Sequence, residues 1–549
     1  MFYRAKLLNY FRQRDRGWIL SLLTVVCLIY LPFLGSPFFF DDLSFFGGTA
    51  AQYYVDAPFR FDLRWLPYAS LGRTWEWFGN APHLFRLGNA LLHAGNVILL
   101  FFLLRLLISA SLPDSEKKSA TLSAWFGAVV FACHPVAVYA VAYIVQRSIL
   151  MATMFALVMQ LAYLHALLTG RKRWLVLAVL AYALAGFSRE HSVMMPAVLV
   201  AMTILLWDKN QLNRKSLWLS YAAFAAIGIM LLLISKGFLG TNALGPVFEP
   251  MGANSLGQLK LDASAPMLHL LSVFTQAGLF VKYVFLWALP NPAWMSVDMR
   301  ESFVVSLAAW QGWLGGLVFI VYGVLAFRLL LRRGMAGLAG LALLYPWLQF
   351  VVEFSSMRMQ EIFVLYRSYL WMPGMMLLIA LLLAKWPGRR TVLALGLAIL
   401  LLTAFACNRL WVFADSYRLW NDAALLLSSE QMQGADRILY NRGTSASASK
   451  MPGEAIADLE RSVALSPQLA QLHYALGVEY FNATRYQDAM TQLDLAISLD
   501  PLYGQAYYAK GITFKRLHDD KQAIQQMKKS CELKNVAACM IVGMSQSKK

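Results

Sequence analysis

Charge is scarce in this chain. Only 14% of its 549 residues are Asp, Glu, Lys or Arg, while 59% are hydrophobic and the mean hydropathy is +0.53. That balance excludes a water-soluble globular domain of ordinary composition. Cysteine is also sparse, with Cys27, Cys133, Cys407, Cys531 and Cys539 scattered along the chain. No Cys-x-x-Cys pair and no Cys/His ligand spacing occurs, which removes the zinc-site patterns. Cys531 and Cys539 would pair only in an oxidising compartment. The preferred reading makes them two small core residues of a helical repeat. The short alternating segments of a transmembrane barrel are missing. A small-residue cleavage site behind the first apolar run is missing too, so that run reads as a retained helix rather than a signal peptide.

Long apolar runs are abundant. Stretches of about 20 residues recur, the length a helix needs to cross the hydrocarbon core. The fold expected is all-α: a polytopic membrane protein followed by a soluble helical region. The net charge of +18 comes from 48 Lys and Arg against 30 Asp and Glu. The basic residues fall mostly between apolar runs, the pattern that sets membrane topology. A nucleic-acid partner is therefore not expected.

Arg4, Lys6, Arg12, Arg14 and Arg16 precede the first run, Trp18–Leu34, and hold the N-terminus inside. Asp41-Asp42 then lie outside, beside the wall Phe38-Phe39-Phe40. Further runs follow at Arg86–Ala110, which ends in Lys117-Lys118, at Thr121–Val141 and at Ile149–Gly170. A fifth run ends at Ser188-Arg189-Glu190-His191, a sixth returns to Lys209, and Leu217–Ile234 leads into a long external loop. Leu268–Leu289 is apolar enough to span. If it did, Arg332-Arg333 and Lys385 through Arg390 would lie outside, against the charge rule, so it reads as an interfacial or re-entrant helix. Phe303–Leu331, Leu338–Val352, Tyr369–Leu383 and Thr391–Cys407 complete about eleven spans. This parity places Asp41-Asp42, His134, Arg147, Arg189-Glu190, Arg358-Glu361 and Arg367 on one external face. Any one of them reads equally as an interface anchor; both signs together suggest a polar cavity.

The chain divides near Asp415 into a membrane body, 1–414, and an amphipathic region, 415–549. Gly443, Gly477 and Gly511 are spaced by 34 residues, as are Ala455, Ala489 and Ala523, and Pro467 and Pro501. Leu476-Gly477, Tyr480, Ala489, Leu493, Ala496 and Pro501 fall on tetratricopeptide positions. Repeats are expected near 436–469, 470–503 and 504–537, enough for a short solenoid that binds a protein or packs on the body.

Asn80-Ala81-Pro82-His83-Leu84-Phe85-Arg86-Leu87-Gly88-Asn89-Ala90-Leu91-Leu92-His93 resembles a stretch of the membrane–tetratricopeptide O-mannosyltransferase family. That family belongs to the GT-C superfamily, whose donors are polyprenyl-phosphate sugars. Phe131-Ala132-Cys133-His134-Pro135-Val136, Gln146-Arg147-Ser148, Ser188-Arg189-Glu190 and Tyr366-Arg367-Ser368-Tyr369-Leu370 resemble further family blocks, and Asp41-Asp42 resembles its acidic pair. Bacterial pilin arabinosyltransferase-like proteins share this architecture. Three acidic positions of the family are replaced, by Tyr139, Ile149 and Tyr366.

The resemblance implies transfer of a sugar from a polyprenyl-phosphate donor to a protein hydroxyl, pilin among the acceptors, at the outer face of a bacterial inner membrane. It implies a base, Asp41 with Asp42 orienting, or the reverse. Cations for the leaving phosphate are expected from Arg147 and Arg367, then Arg189 and Arg73. Glu190 pairs with an arginine. His83, Asn89 and His93 lie near helical spacing and read as packing residues more than ligands, and His134 suits the turn and the site equally. A neighbouring carboxylate is expected to raise one member of the Asp pair toward neutral pH. No cofactor beyond the lipid-linked sugar is implied, although Asp41-Asp42 could hold a divalent metal. Leu289-Pro290-Asn291-Pro292 with Trp294 could shape a lid. A lipid-linked-sugar flippase and a non-catalytic scaffold are the competing readings.

Overall fold

The computed structural model describes residues 15–48, 50–57, 59, 62–113, 119–236, 264–358 and 361–546. Arg4, Lys6, Arg12, Arg14, Lys117 and Lys118, and the loop expected after Ile234, fall outside the described residues. The described chain is helical and contains no strand. It separates into two compact units, the first ending at Asp415.

The first unit begins with α1 (Asp15–Tyr30), two short helices α2 (Asp41–Gly47) and α3 (Ala50–Asp56), and α4 (Trp65–Phe78). The 30-residue α5 (Pro82–Ser111) follows, then α6 (Ala120–Cys133) and α7 (Pro135–Val141). Next come α8 (Arg147–Thr169), α9 (Arg173–Ser188), α10 (Met195–Leu205) and α11 (Arg214–Ser235). The unit ends with α12 (Ala265–Ala288), α13 (Trp310–Leu331), α14 (Gly334–Phe350), α15 (Met372–Lys385) and α16 (Arg389–Phe413). Among the described residues, eight helices are long and apolar enough to cross a membrane, nine if α6 and α7 count as one.

Local chemistry explains the breaks. α6 and α7 meet at 61°. Pro135 forces His134 into an extended conformation and starts the next helix, and the His134 ring caps it by accepting from Val136 N. Leu268–Leu289, expected as an interfacial or re-entrant helix, falls on α12 and its C-cap. α12 is one continuous 24-residue helix, because no Pro or Gly pair interrupts its interior and its small Gly278 packs on Gly315 of α13. α13 and α14 also cross closely where Gly340 lies against the backbone of Ala326 and Leu330.

The second unit holds α17 (Ser416–Leu425) and three helix pairs: α18 (Ala435–Ala448) with α19 (Pro452–Leu465), α20 (Ala470–Asn482) with α21 (Tyr486–Leu499), and α22 (Gly504–Arg516) with α23 (Asp520–Glu532). A single helix, α24 (Val536–Gln546), ends the array. Gly443, Gly477 and Gly511 each face the second helix of their own pair, where a Cβ would lie within 3.4 Å of its atoms. The segment Ser296–Ser302 belongs to this unit. Its Asp298 is buried and receives Arg437 of α18 at 2.8 and 3.0 Å and Arg300 at 2.7 Å. Burial alone would raise the Asp298 carboxyl, but the two guanidiniums hold it below the usual range. Cys531 and Cys539, expected as unlinked core residues, form a disulfide between α23 and α24. The turn between these helices brings their Cα atoms to 4.7 Å, inside bonding range.

Candidate functional site

The polar residues of the first unit gather where several helices begin or end. The two aspartates are separated by function of position alone. Phe40 holds φ +56° with ψ −128°, a strained conformation outside glycine, and this turns the chain so that α2 begins at Asp41. Asp42 points inward and is 0% exposed. Its Oδ1 accepts from Val145 N at 2.9 Å, and its Oδ2 has no hydrogen-bond partner. Asp41 is half-exposed, and its amide donates to the Tyr143 hydroxyl at 3.0 Å. Asp42 is raised to about 7. Burial is the largest cause, opposed by Arg86 and the Val145 amide, and the neighbouring Asp41 adds a smaller push. The push expected from the neighbouring carboxylate is thus present but secondary to desolvation.

The arginines divide in the same way. Arg147 is buried and entirely engaged by neutral groups. Nε donates to Asn89 Oδ1 at 3.0 Å, Nη2 to Phe85 O at 2.9 Å, and Nη1 to Ser70 and Thr74 hydroxyls at 3.3 Å. It ties α4, α5 and α8 together. Arg86 clasps the loop before the aspartates, donating to Ser36 O, Pro37 O and, at 3.1 Å, Ala142 O. Arg73 is surface-exposed and pairs with Glu76 on its own helix. His83 is exposed on the first turn of α5. His93 is buried one layer below, between the Tyr369 hydroxyl at 2.7 Å and Ala132 O at 3.2 Å. His134 stacks on Trp287 with centroids 4.2 Å apart and bonds Trp287 O at 3.0 Å, so it serves the turn. Trp294 stacks on Phe285 of α12.

Arg189, Glu190 and Arg367 do converge. Arg189 donates to Ser148 Oγ at 3.1 Å and lies over the Tyr366 ring at 5.8 Å. Tyr366 also meets Tyr143, the ring that bonds Asp41, with centroids 6.0 Å apart. A line of contacts therefore runs from Asp41 through two tyrosines to Arg189. Beyond it, Glu353 receives Arg358 at 3.2 Å, Arg367 at 3.3 Å and His191 at 3.2 Å. Arg367 also reaches Glu361 at 3.3 Å, and Glu190 takes Arg64 at 2.9 Å and His191 at 3.2 Å. Four arginines here meet three glutamates. The Glu190–Arg189 separation, 3.9 Å, is long for an ion pair.

Sequence reasoning missed Glu353, His191, Arg64 and Tyr143. Glu353 is visible as a lone acid one residue past an apolar run, but its partners lie on other segments. At two of the replaced acidic positions the chain packs instead: Tyr139 against Phe413 at 5.3 Å, and Ile149 fully buried. Among the described residues no three His, Cys, Asp or Glu side chains gather as metal ligands. An apolar crevice of about 890 Å³ lies between α10, α13 and α14, lined by Ala197, Ile204, Gly323, Phe327, Trp347 and Leu348. α10 and α14 are the helices that adjoin His191 and Glu353.

The fold class is an all-helical body with a tetratricopeptide-type helical array. No family model matches the chain, and no curated protein matches it. Among solved structures it is similar to MamA, at 24% identity and a TM-score of 0.21 over 23% of this chain and 72% of that one. It is also similar to YrrB, described as a TPR protein with an unusual peptide-binding site, at 18% identity and a TM-score of 0.22 over 30% of this chain and 89% of that one.

Proposed function

We propose that this chain is a membrane glycosyltransferase of the GT-C type. It moves a sugar from a polyprenyl-phosphate donor to a protein hydroxyl, pilin being one candidate acceptor, at the outer face of a bacterial inner membrane. The observation that carries the reading is the half-exposed Asp41 joined through Tyr143 and Tyr366 to a cluster in which arginines outnumber glutamates. The acceptor oxygen attacks the anomeric carbon, the bond from that carbon to the phosphate oxygen breaks, and Asp41 takes the hydroxyl proton. Arg189, the least engaged by carboxylate, meets the charge that develops on the leaving phosphate, with Arg358 and Arg367 behind it. Asp42 holds the Val145 turn rather than touching substrate, and Arg147 braces three helices.

Membrane placement draws support from the outer surface of the long helices. Trp310, Trp313, Leu317 and Ile320 on α13, and Leu397 and Leu400 on α16, are all more than half exposed, a density of bare apolar side chains that suits lipid rather than water. The apolar crevice between α10, α13 and α14 offers a course for the isoprenoid tail. The replaced acids at Tyr139 and Ile149 favour one alternative, a scaffold that gathers envelope proteins without chemistry.

The decisive experiment compares intact masses of envelope and secreted proteins, pilins included, from cells carrying the wild type, Asp41→Asn or Asp42→Asn. A sugar-sized mass should vanish with Asp41→Asn and persist, reduced, with Asp42→Asn. Retention in the Asp41→Asn strain would reject the transferase reading.

A further inference from the structure

The body carries a second apolar crevice that sugar transfer does not use. It has a volume of about 230 Å³ and lies between α5, α8 and α9, with Leu99, Phe102, Leu106, Leu161, His165 and Trp174 in its walls. One end is polar. His165 stacks on Trp174 with ring centroids 5.3 Å apart, and its ring nitrogens have no hydrogen-bond partner among the described residues. The Arg173 guanidinium lies over the same Trp174 ring at 5.7 Å. Arg171 and Lys172 come just before it, in the turn between α8 and α9. None of these three cations meets a carboxylate among the described residues, whereas Arg105 and Arg333 are neutralised by Asp15 and Asp208. The other end is apolar, and it opens along α9. Leu177, Leu180 and Leu184 share one face of that helix and are each more than a third exposed.

The order of these features selects the occupant. From His165 back to Val158 the α8 wall runs two helical turns, about 10 Å, without another polar side chain in the crevice. A cationic lip above an apolar trough matches an anionic head on a hydrocarbon tail. The lip sits at the end that the charge rule assigns to the inside. It is also far from the candidate site. α8 starts at Arg147 and runs 23 residues, about 35 Å, before the lip begins. A sugar donor whose phosphate is held by Arg189 cannot place that phosphate here as well. A phospholipid of the inner leaflet can. Its phosphate meets Arg171, Lys172 and Arg173, a glycerol-ester oxygen accepts from His165, and an acyl chain fills the trough.

We infer that the crevice between α5, α8 and α9 is a binding site for one anionic phospholipid, with its headgroup on Arg171, Lys172 and Arg173 and an acyl chain against Leu106, Leu161 and Trp174. The inference rests on the membrane placement proposed above but not on sugar transfer. Lipid binding is read without turnover, and Asp41→Asn should bind as the wild type does, so either reading can fail alone.

The test is native mass spectrometry of the delipidated full chain in detergent, titrated with phosphatidylglycerol. One control is phosphatidylcholine, which carries the phosphate without net charge. The other is inorganic phosphate, which carries the charge without a tail. One phosphatidylglycerol should be retained, phosphatidylcholine should bind roughly tenfold more weakly or worse, and phosphate should not bind. The variant R171Q/K172Q/R173Q should lose the preference. R389Q/R390Q, which removes an exposed basic pair at the start of α16, should keep it. Equal binding of the two lipids, binding of phosphate alone, or the same loss in R389Q/R390Q would overturn the inference. Thermal melts without lipid verify folding. If the triple variant does not fold, Arg173→Gln removes the cation over Trp174, and unchanged selectivity there is equally fatal.

Discussion

Asp41 and Asp42 are neighbours in sequence and opposites in environment. Side chains one residue apart on a helix point about 100° apart, and here that step separates a half-exposed carboxylate from a fully buried one. The pair was legible because acids beside an apolar wall are rare; which member is accessible was not, because it depends on the Val145 turn about a hundred residues away. Burial has a measurable consequence. The Asp42 pKa is about 7 against an ordinary 3.8, so the folded state keeps a proton that the unfolded chain releases. Its stabilising contribution is full below about pH 4 and is lost as pH rises through about 7, at roughly 1.4 kcal/mol per unit. Melting temperature in detergent should fall across that window, and Asp42→Asn should flatten the fall; an unchanged slope refutes the assignment. Glu353 poses the inverse case. It is a buried anion with two arginines and a histidine around it, and Glu353→Gln removes the carboxylate that faces all three. The expected destabilisation is about 3–5 kcal/mol. Glu361→Gln, at a side chain 26% exposed, should cost far less in the same melts.

Helices follow from sequence where the pattern repeats or where proline interrupts. The 34-residue recurrence of Gly, Ala and Pro puts the repeat starts near 436, 470 and 504, and the first helices of the three pairs begin at Ala435, Ala470 and Gly504. Thr121–Val141 reads as one run in the sequence, but Pro135 divides it into α6 and α7, which meet at 61°. At Leu268–Leu289 apolar length pointed to a span and the charge rule to an interfacial or re-entrant helix; the chain there forms one continuous helix packed through Gly278 on Gly315. Close helix packing of this kind is invisible in a hydropathy profile, because a glycine reads the same at a contact and on a bare face. The two situations are distinguishable by substitution. A Cβ at Gly340 would meet the Ala326 carbonyl at 2.7 Å and the Leu330 backbone, neither of which can swing aside. Gly340→Ala should therefore force α13 and α14 apart, costing about 1–3 kcal/mol or more. A Cβ at Gly396 of α16 meets nothing within 4 Å, so Gly396→Ala should be neutral or slightly stabilising by helix propensity. Equal effects of the two in thermal melts would refute the packing argument.

Across the whole chain, two units with separate cores imply two unfolding events. The body is held by helix packing around buried aromatic and aliphatic side chains, and the array by repeat-to-repeat contacts, in which each helix pair depends on its neighbours. The end of such an array is its weakest part. α24, the last described helix, packs against α23. The Cys531–Cys539 bond spans that junction. Closing a loop of this size removes chain entropy worth about 2–3 kcal/mol from the unfolded state. Reduction should therefore loosen α24 first, and then lower the melting of the array, while the body is untouched because its cysteines Cys27, Cys133 and Cys407 are unbonded. Hydrogen exchange of the full chain in detergent, with and without dithiothreitol, reads both levels. Peptides from 536–546 should gain exchange by one to two orders of magnitude on reduction, those from α18 and α19 little, and those from α5 and α8 not at all. Cys531→Ser should reproduce the reduced pattern without reductant. Uniform change along the chain would mean the units do not unfold separately, and protection of α24 after reduction would mean that packing, not the disulfide, closes the array.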